Sequence, residues 1–262
     1  MAAAVAARAL SDATLATPMT ARAPRQAYLR AIGIDAWLER GTGWQRAPAS
    51  LPALQATATI AADAASVGDW DRLCSEVSSC QKCGLHAGRT QTVFGVGARR
   101  ARWLIVGEAP GAEEDRRGEP FVGRAGKLLD SMLRAIGLSR ETVFIANVLK
   151  CRPPGNRDPK PEEVTECLPY LHRQIALIQP QVILAVGRIA AQNLLGTDAP
   201  LGRLRGRVYS FGTRPTPLIV TYHPAYLLRA PAEKRKAWAD LKFAQATLQA
   251  TADAGGRVAE QS

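Results

Sequence analysis

Four cysteines are spaced as metal ligands. Cys80 and Cys83 form a C-x-x-C pair, Cys151 opens CRPPGNR, and Cys167 lies in VTECLPY. Thiolates are soft ligands that suit zinc and iron–sulfur clusters alike. A zinc site more often uses two close pairs, and only one pair is close here. Either group would staple remote loops together. The fifth cysteine, Cys74, lies before the pair and fits no ligand position. Five cysteines, an odd number, do not describe a secreted disulfide scaffold.

The elements that must position these ligands alternate. A helical WDRLCSEVSSC runs into the pair. RWLIVGEAPG reads as a buried strand ending in a Gly/Pro turn, and AGKLLDSMLRAIGL as an amphipathic helix stopped by Gly137. TVFIANVLKC is a second strand, and the helix after it is entered through Pro161. QVILAVG, a helix closed by Gly196, PLIVTYHPAYLL and a last helix EKRKAWADLKFAQATLQ complete the series. Such alternation predicts an α/β fold with a parallel sheet and helices on both faces. Ligands in such folds sit beyond the carboxyl ends of the strands, where GEAPG, Asn147 and His223 all fall.

The formal net charge of +11 points to a polyanionic partner, nucleic acid being the commonest. Hydrophobic content of 47% describes a globular chain, and no apolar run approaches the ~20 residues of a membrane span. Residues 1–65 read as a disordered or linker extension with a short amphipathic helix at 26–40, residues 66–250 as the folded domain, and 251–262 as a disordered tail. The Ala/Arg-rich start lacks the apolar core of a secretory signal.

GEAPGAEED, GEPFVGRAGKLLD, NVLKCRPPGNR and HPAYLLR together resemble the family 4 uracil-DNA glycosylases, the iron–sulfur branch of that superfamily. The resemblance covers about residues 70–250 and implies a three-layer α/β/α sandwich around a mostly parallel four-stranded sheet. It implies a structural [4Fe–4S] cluster on Cys80, Cys83, Cys151 and Cys167. It also implies a monofunctional enzyme that flips deoxyuridine from single- or double-stranded DNA and hydrolyses its N-glycosidic bond, initiating base excision repair.

The resemblance assigns roles residue by residue. The loop Gly107, Ala109, Pro110 and Gly111 approaches the ligand and positions the attacking water. Ala109 stands where the best-known branch has an Asp, so it supplies no base; Glu108 and Glu114 are the nearest carboxylates, with Glu114 carried over as an acid at the pocket. Phe121 matches the aromatic that stacks on the extruded base. The Asn147 amide can donate to a carbonyl and accept from a ring N–H, the pattern of uracil and the reverse of cytosine. Asn156 is a second contact. His223 would stabilise the departing uracil anion. Leu227 or Leu228 would wedge into the base stack, with Arg229, Arg152 and Arg157 on phosphates.

Two other readings stand beside this one. A covalent uracil-capturing relative carries a basic, His-containing insertion after the third cysteine, absent from KCRPPGNRDPKP. A non-catalytic iron–sulfur DNA-binding module would have no use for Glu114, Phe121, Asn147 and His223. RQAYLRAIGIDAWLER distantly resembles the N-terminal peptide of the psi subunit of the bacterial clamp loader, implying a replication contact. The expected setting is a monomer in the bacterial cytoplasm, associated with the nucleoid.

Overall fold

The computed structural model describes residues 67–259. The expectations for residues 1–65, including the helix at 26–40, lie outside the described residues. The sheet has six strands: β1 (Val96–Gly97), β2 (Trp103–Gly107), β3 (Phe144–Asn147), β4 (Val182–Val186), β5 (Val208–Phe211) and β6 (Thr216–Thr221), in the order β1-β3-β2-β4-β6-β5. The four central strands are parallel and match the four expected. The two edge strands are antiparallel and additional to them. β1 is two residues long and β5 alternates exposed and covered residues, so neither carries the continuous apolar run that marks a strand covered on both faces.

The helices are α1 (Val67–Ser78), α2 (Ala112–Arg117), α3 (Arg124–Ala135), α4 (Pro161–Ile178), α5 (Arg188–Leu195), α6 (Leu201–Leu204), α7 (Pro224–Arg229) and α8 (Lys234–Ala259). Alternate residues of β2 feed two separate cores. Leu104 and Val106 pack with Trp70, Leu171 and Ala190 of α1, α4 and α5. Trp103 and Ile105 pack with Leu129, Leu227 and Leu241 of α3, α7 and α8. The result is the expected three layers. α8 continues to Ala259, beyond position 250 where the sequence reading ends the domain. Its last buried apolar side chain among those described is Leu248.

After β2 the chain crosses to β3 on one side, then returns past β2 to β4 on the other. That reversal opens a crevice at the carboxyl end of β2, where such folds bind ligands.

Candidate active site and cysteine cavity

Three residues converge at the end of β2. A Cβ placed on Gly107 would lie 2.4 Å from Asn147 Oδ1 and 2.5 Å from Phe121 Cζ, so only glycine fits there. Asn147 ends the neighbouring β3 and is 2% exposed. Its Oδ1 is buried without a hydrogen-bond partner. A buried unpaired acceptor costs about 1–3 kcal/mol, so a donor from a ligand would be well received. The Phe121 ring, itself buried, lies 5.6 Å from the His223 ring, centroid to centroid.

His223 follows β6 and caps α7, with Nδ1 accepting the N–H of Ala225 at 3.1 Å. That bond commits Nδ1 as an acceptor and places the proton on Nε2. Burial, then the nearby Arg229 cation, lowers its pKa to about 4 against the opposing pull of Glu114. The ring is therefore neutral at pH 7, with one N–H free to donate.

The two carboxylates differ. Glu114 Oε2 accepts the N–H of Gly111 at 3.1 Å, and Oε1 accepts those of Val122 and Gly123 at 2.9 and 3.0 Å. Three backbone donors make it a brace between the GEAPG loop and the Phe121 turn, at the pocket where the sequence reading places it. Glu108 is raised to about 7 by burial and then by the neighbouring Asp158, with Arg188 opposing. Ala109 is half-buried against the core and Pro110 is buried.

Cys80, Cys83, Cys151 and Cys167 line one cavity that is partly open to solvent. Among the described residues, no three His, Cys, Asp or Glu side chains are close enough to hold a single ion. Two cations that sequence reasoning missed stand against the cysteines. Arg89 donates to Cys151 Sγ at 3.2 Å and to the Cys80 carbonyl at 2.8 Å. Lys150 is 1% exposed, and its backbone N–H meets Cys167 Sγ at 3.2 Å. Its Nζ donates to the Asn147 carbonyl at 2.8 Å and to Gln174 Oε1 at 2.6 Å. Burial pushes the Cys167 thiol up to about 11 and the Lys150 ammonium down to about 8. The sole sequence signal was the place of Lys150 directly before Cys151; Arg89, six residues after Cys83, carried none.

The DNA-side expectations need correction. Leu227 is 1% exposed and packs in the core, so it cannot wedge into DNA. The phase of α7 turns Leu228 outward instead, at 37% exposure, with Tyr226 beside it. Arg157 makes a bidentate pair with the buried Glu163, at 2.9 and 2.5 Å, which ties the loop after Cys151 to α4. Asn156 sits exposed at the loop tip, with Oδ1 accepting from Arg152 at 2.8 Å. Arg229 is exposed.

A family model described as the uracil DNA glycosylase superfamily matches residues 94–242. Three similar proteins are each named type-4 uracil-DNA glycosylase. That of Archaeoglobus fulgidus is 49% identical over 178 residues, covering 66% of this chain and 89% of its own. The Sulfurisphaera tokodaii protein is 46% identical over 168 residues, 62% of this chain and 76% of its own. The Pyrobaculum aerophilum protein is 45% identical over 179 residues, 66% of this chain and 91% of its own. The matched span holds the whole β2–β6 scaffold together with Gly107, Phe121, Asn147 and His223, and the chain belongs to the uracil DNA glycosylase superfamily, in its type-4 branch.

Proposed function

We infer that the chain is a monofunctional uracil-DNA glycosylase, which flips deoxyuridine out of DNA and hydrolyses its N-glycosidic bond to release uracil. The observation that carries this reading is the unpartnered Asn147 Oδ1, facing the space beside the Phe121 ring and His223. Uracil stacks on Phe121. Its N3–H donates to Asn147 Oδ1 while the amide N–H meets O4; cytosine would put an acceptor against Oδ1 and a donor against the amide. The neutral His223 donates Nε2–H to the uracil oxygen on which negative charge builds as the bond to the sugar breaks. Water then adds to the cationic sugar. Glu108, raised to about 7, is suited to accept its proton. Glu114 keeps the loop and the Phe121 turn in register. Lys150 is bound by a backbone carbonyl and Gln174, so its amine is not offered for strand cleavage.

The cysteine cavity fits a [4Fe–4S] cluster held by Cys80, Cys83, Cys151 and Cys167. Four soft thiolates drawn from three separate segments suit an iron–sulfur cluster, and Arg89 and Lys150 complement its anionic ligand shell. Bound there, the cluster supplies a structural tie between α1, the loop after β3, and α4. Arg229, Arg152 and the exposed Leu228 face the DNA backbone and stack. The protein acts as a monomer in the bacterial cytoplasm, and residues 26–40 tether it to replication.

The test is release of free uracil from an oligonucleotide carrying one deoxyuridine, single-stranded and paired. Release leaving an intact abasic strand is expected. Absence of uracil from both substrates would overturn the reading.

A further inference from the structure

Phe121 has a backbone state that bulky residues avoid. Its φ is +55°, in the left-handed region. The turn is gripped from both sides. The N–H groups of Val122 and Gly123 donate to Glu114 Oε1. The preceding carbonyls are held by one guanidinium: Arg140 Nη2 donates to the Pro120 oxygen at 2.6 Å, and Nη1 to the Phe121 oxygen at 3.0 Å. The same Nη1 donates to Asp130 Oδ1 at 3.0 Å, in a pair whose side chains are only 20% and 23% exposed. Gly126 comes so close behind that a Cβ there would lie 1.6 Å from the Phe121 oxygen.

We propose that Arg140 is a positioning residue of the base pocket, holding the strained turn that presents the Phe121 ring to Gly107 and Asn147. The identity of the stacked ligand rests on the glycosylase reading above. Arg140 lies in the loop between α3 and β3 and acts through Phe121 without touching substrate. Two adjacent carbonyls need two donors at fixed separation, which a planar fork supplies and an ammonium does not. Asp130 aims the fork. Without it, Phe121 relaxes toward negative φ, and the ring leaves its place beside Asn147. Only molecules still in the left-handed state then bind the base, and apparent affinity falls by that fraction.

The test uses the cluster-loaded full chain as wild type, Arg140→Lys and Arg140→Gln. Four quantities are measured: KM and kcat on single-stranded deoxyuridine DNA, inhibition by free uracil, and affinity for DNA with a tetrahydrofuran abasic analogue. The analogue offers sugar and phosphate but no base. Both variants should raise KM and the uracil inhibition constant by about tenfold, the order expected from releasing one strained residue, with abasic affinity held within about twofold. Arg140→Lys keeps the charge beside Asp130 and decides the matter where Arg140→Gln does not fold. Unchanged uracil inhibition in the folded lysine variant overturns the proposal, as does an equal loss on abasic DNA. A wild type that releases no uracil defeats the functional reading instead.

Discussion

The base pocket and the cysteine cavity share one strand end yet are built on opposite electrostatic plans. The pocket is neutral where a base would lie: His223 carries no charge at pH 7 and Asn147 holds an unpaired amide oxygen. The cavity presses Arg89 and the fully buried Lys150 against its cysteines. An uncharged ligand suits the first and an anionic group the second. The difference teaches how one α/β sheet keeps two chemistries apart within four residues, Asn147 to Cys151: one faces hydrogen-bond donors and acceptors, the other faces cations.

The contrast can be broken most severely from the cavity side. Cys167→Ser should abolish the visible absorbance of the purified protein and lower Tm by about 10 °C, roughly 3–5 kcal/mol for a domain this size. Uracil release should vanish with it. An active variant with native Tm would detach the cavity from the pocket. On the pocket side, His223→Asn should slow single-turnover release by about 10²–10³, the worth of one aimed donor. Asparagine is a good helix cap, so Tm should hold or rise slightly and the visible spectrum should stay, and a loss under about fivefold would remove His223 from the chemistry. The mildest effect is in pH. The proposed base Glu108 would act as the carboxylate, so with its pKa about 7 the rate should rise by about tenfold from pH 6 to pH 8. His223, at about 4, stays neutral across that range and contributes no step. Glu108→Gln should flatten the profile; a retained rise would assign the titration elsewhere.

What the sequence made legible follows from what each residue does. WLIV, VILAV and LIV are buried on both faces and read directly as parallel strands; Val96–Gly97 and Val208–Phe211 pair at edges and carry no such run. Gly107, Phe121, Asn147 and His223 stand in motifs and were found there. Arg140, Arg89 and Lys150 were not, because much of what they grip is backbone carbonyl: Phe121, Cys80 and Asn147 respectively. A carbonyl has no identity in a sequence. Leu227 and Leu228 are alike as letters. Only the docking of α7 on α3 and α8 decides which is core, and that is a tertiary fact.

The cap on α7 has an evolutionary consequence. Ser, Asp and Asn are better N-caps than histidine, so a lineage selected only for a steadier helix would drift away from His223. Keeping the imidazole there means tolerating a weaker helix start, a cost that the proposed role of its second nitrogen would justify. Stabilising substitutions should thus be abundant at position 223 and uniformly ruinous to the chemistry, which makes this cap a marker separating active descendants of the fold from folded but silent ones.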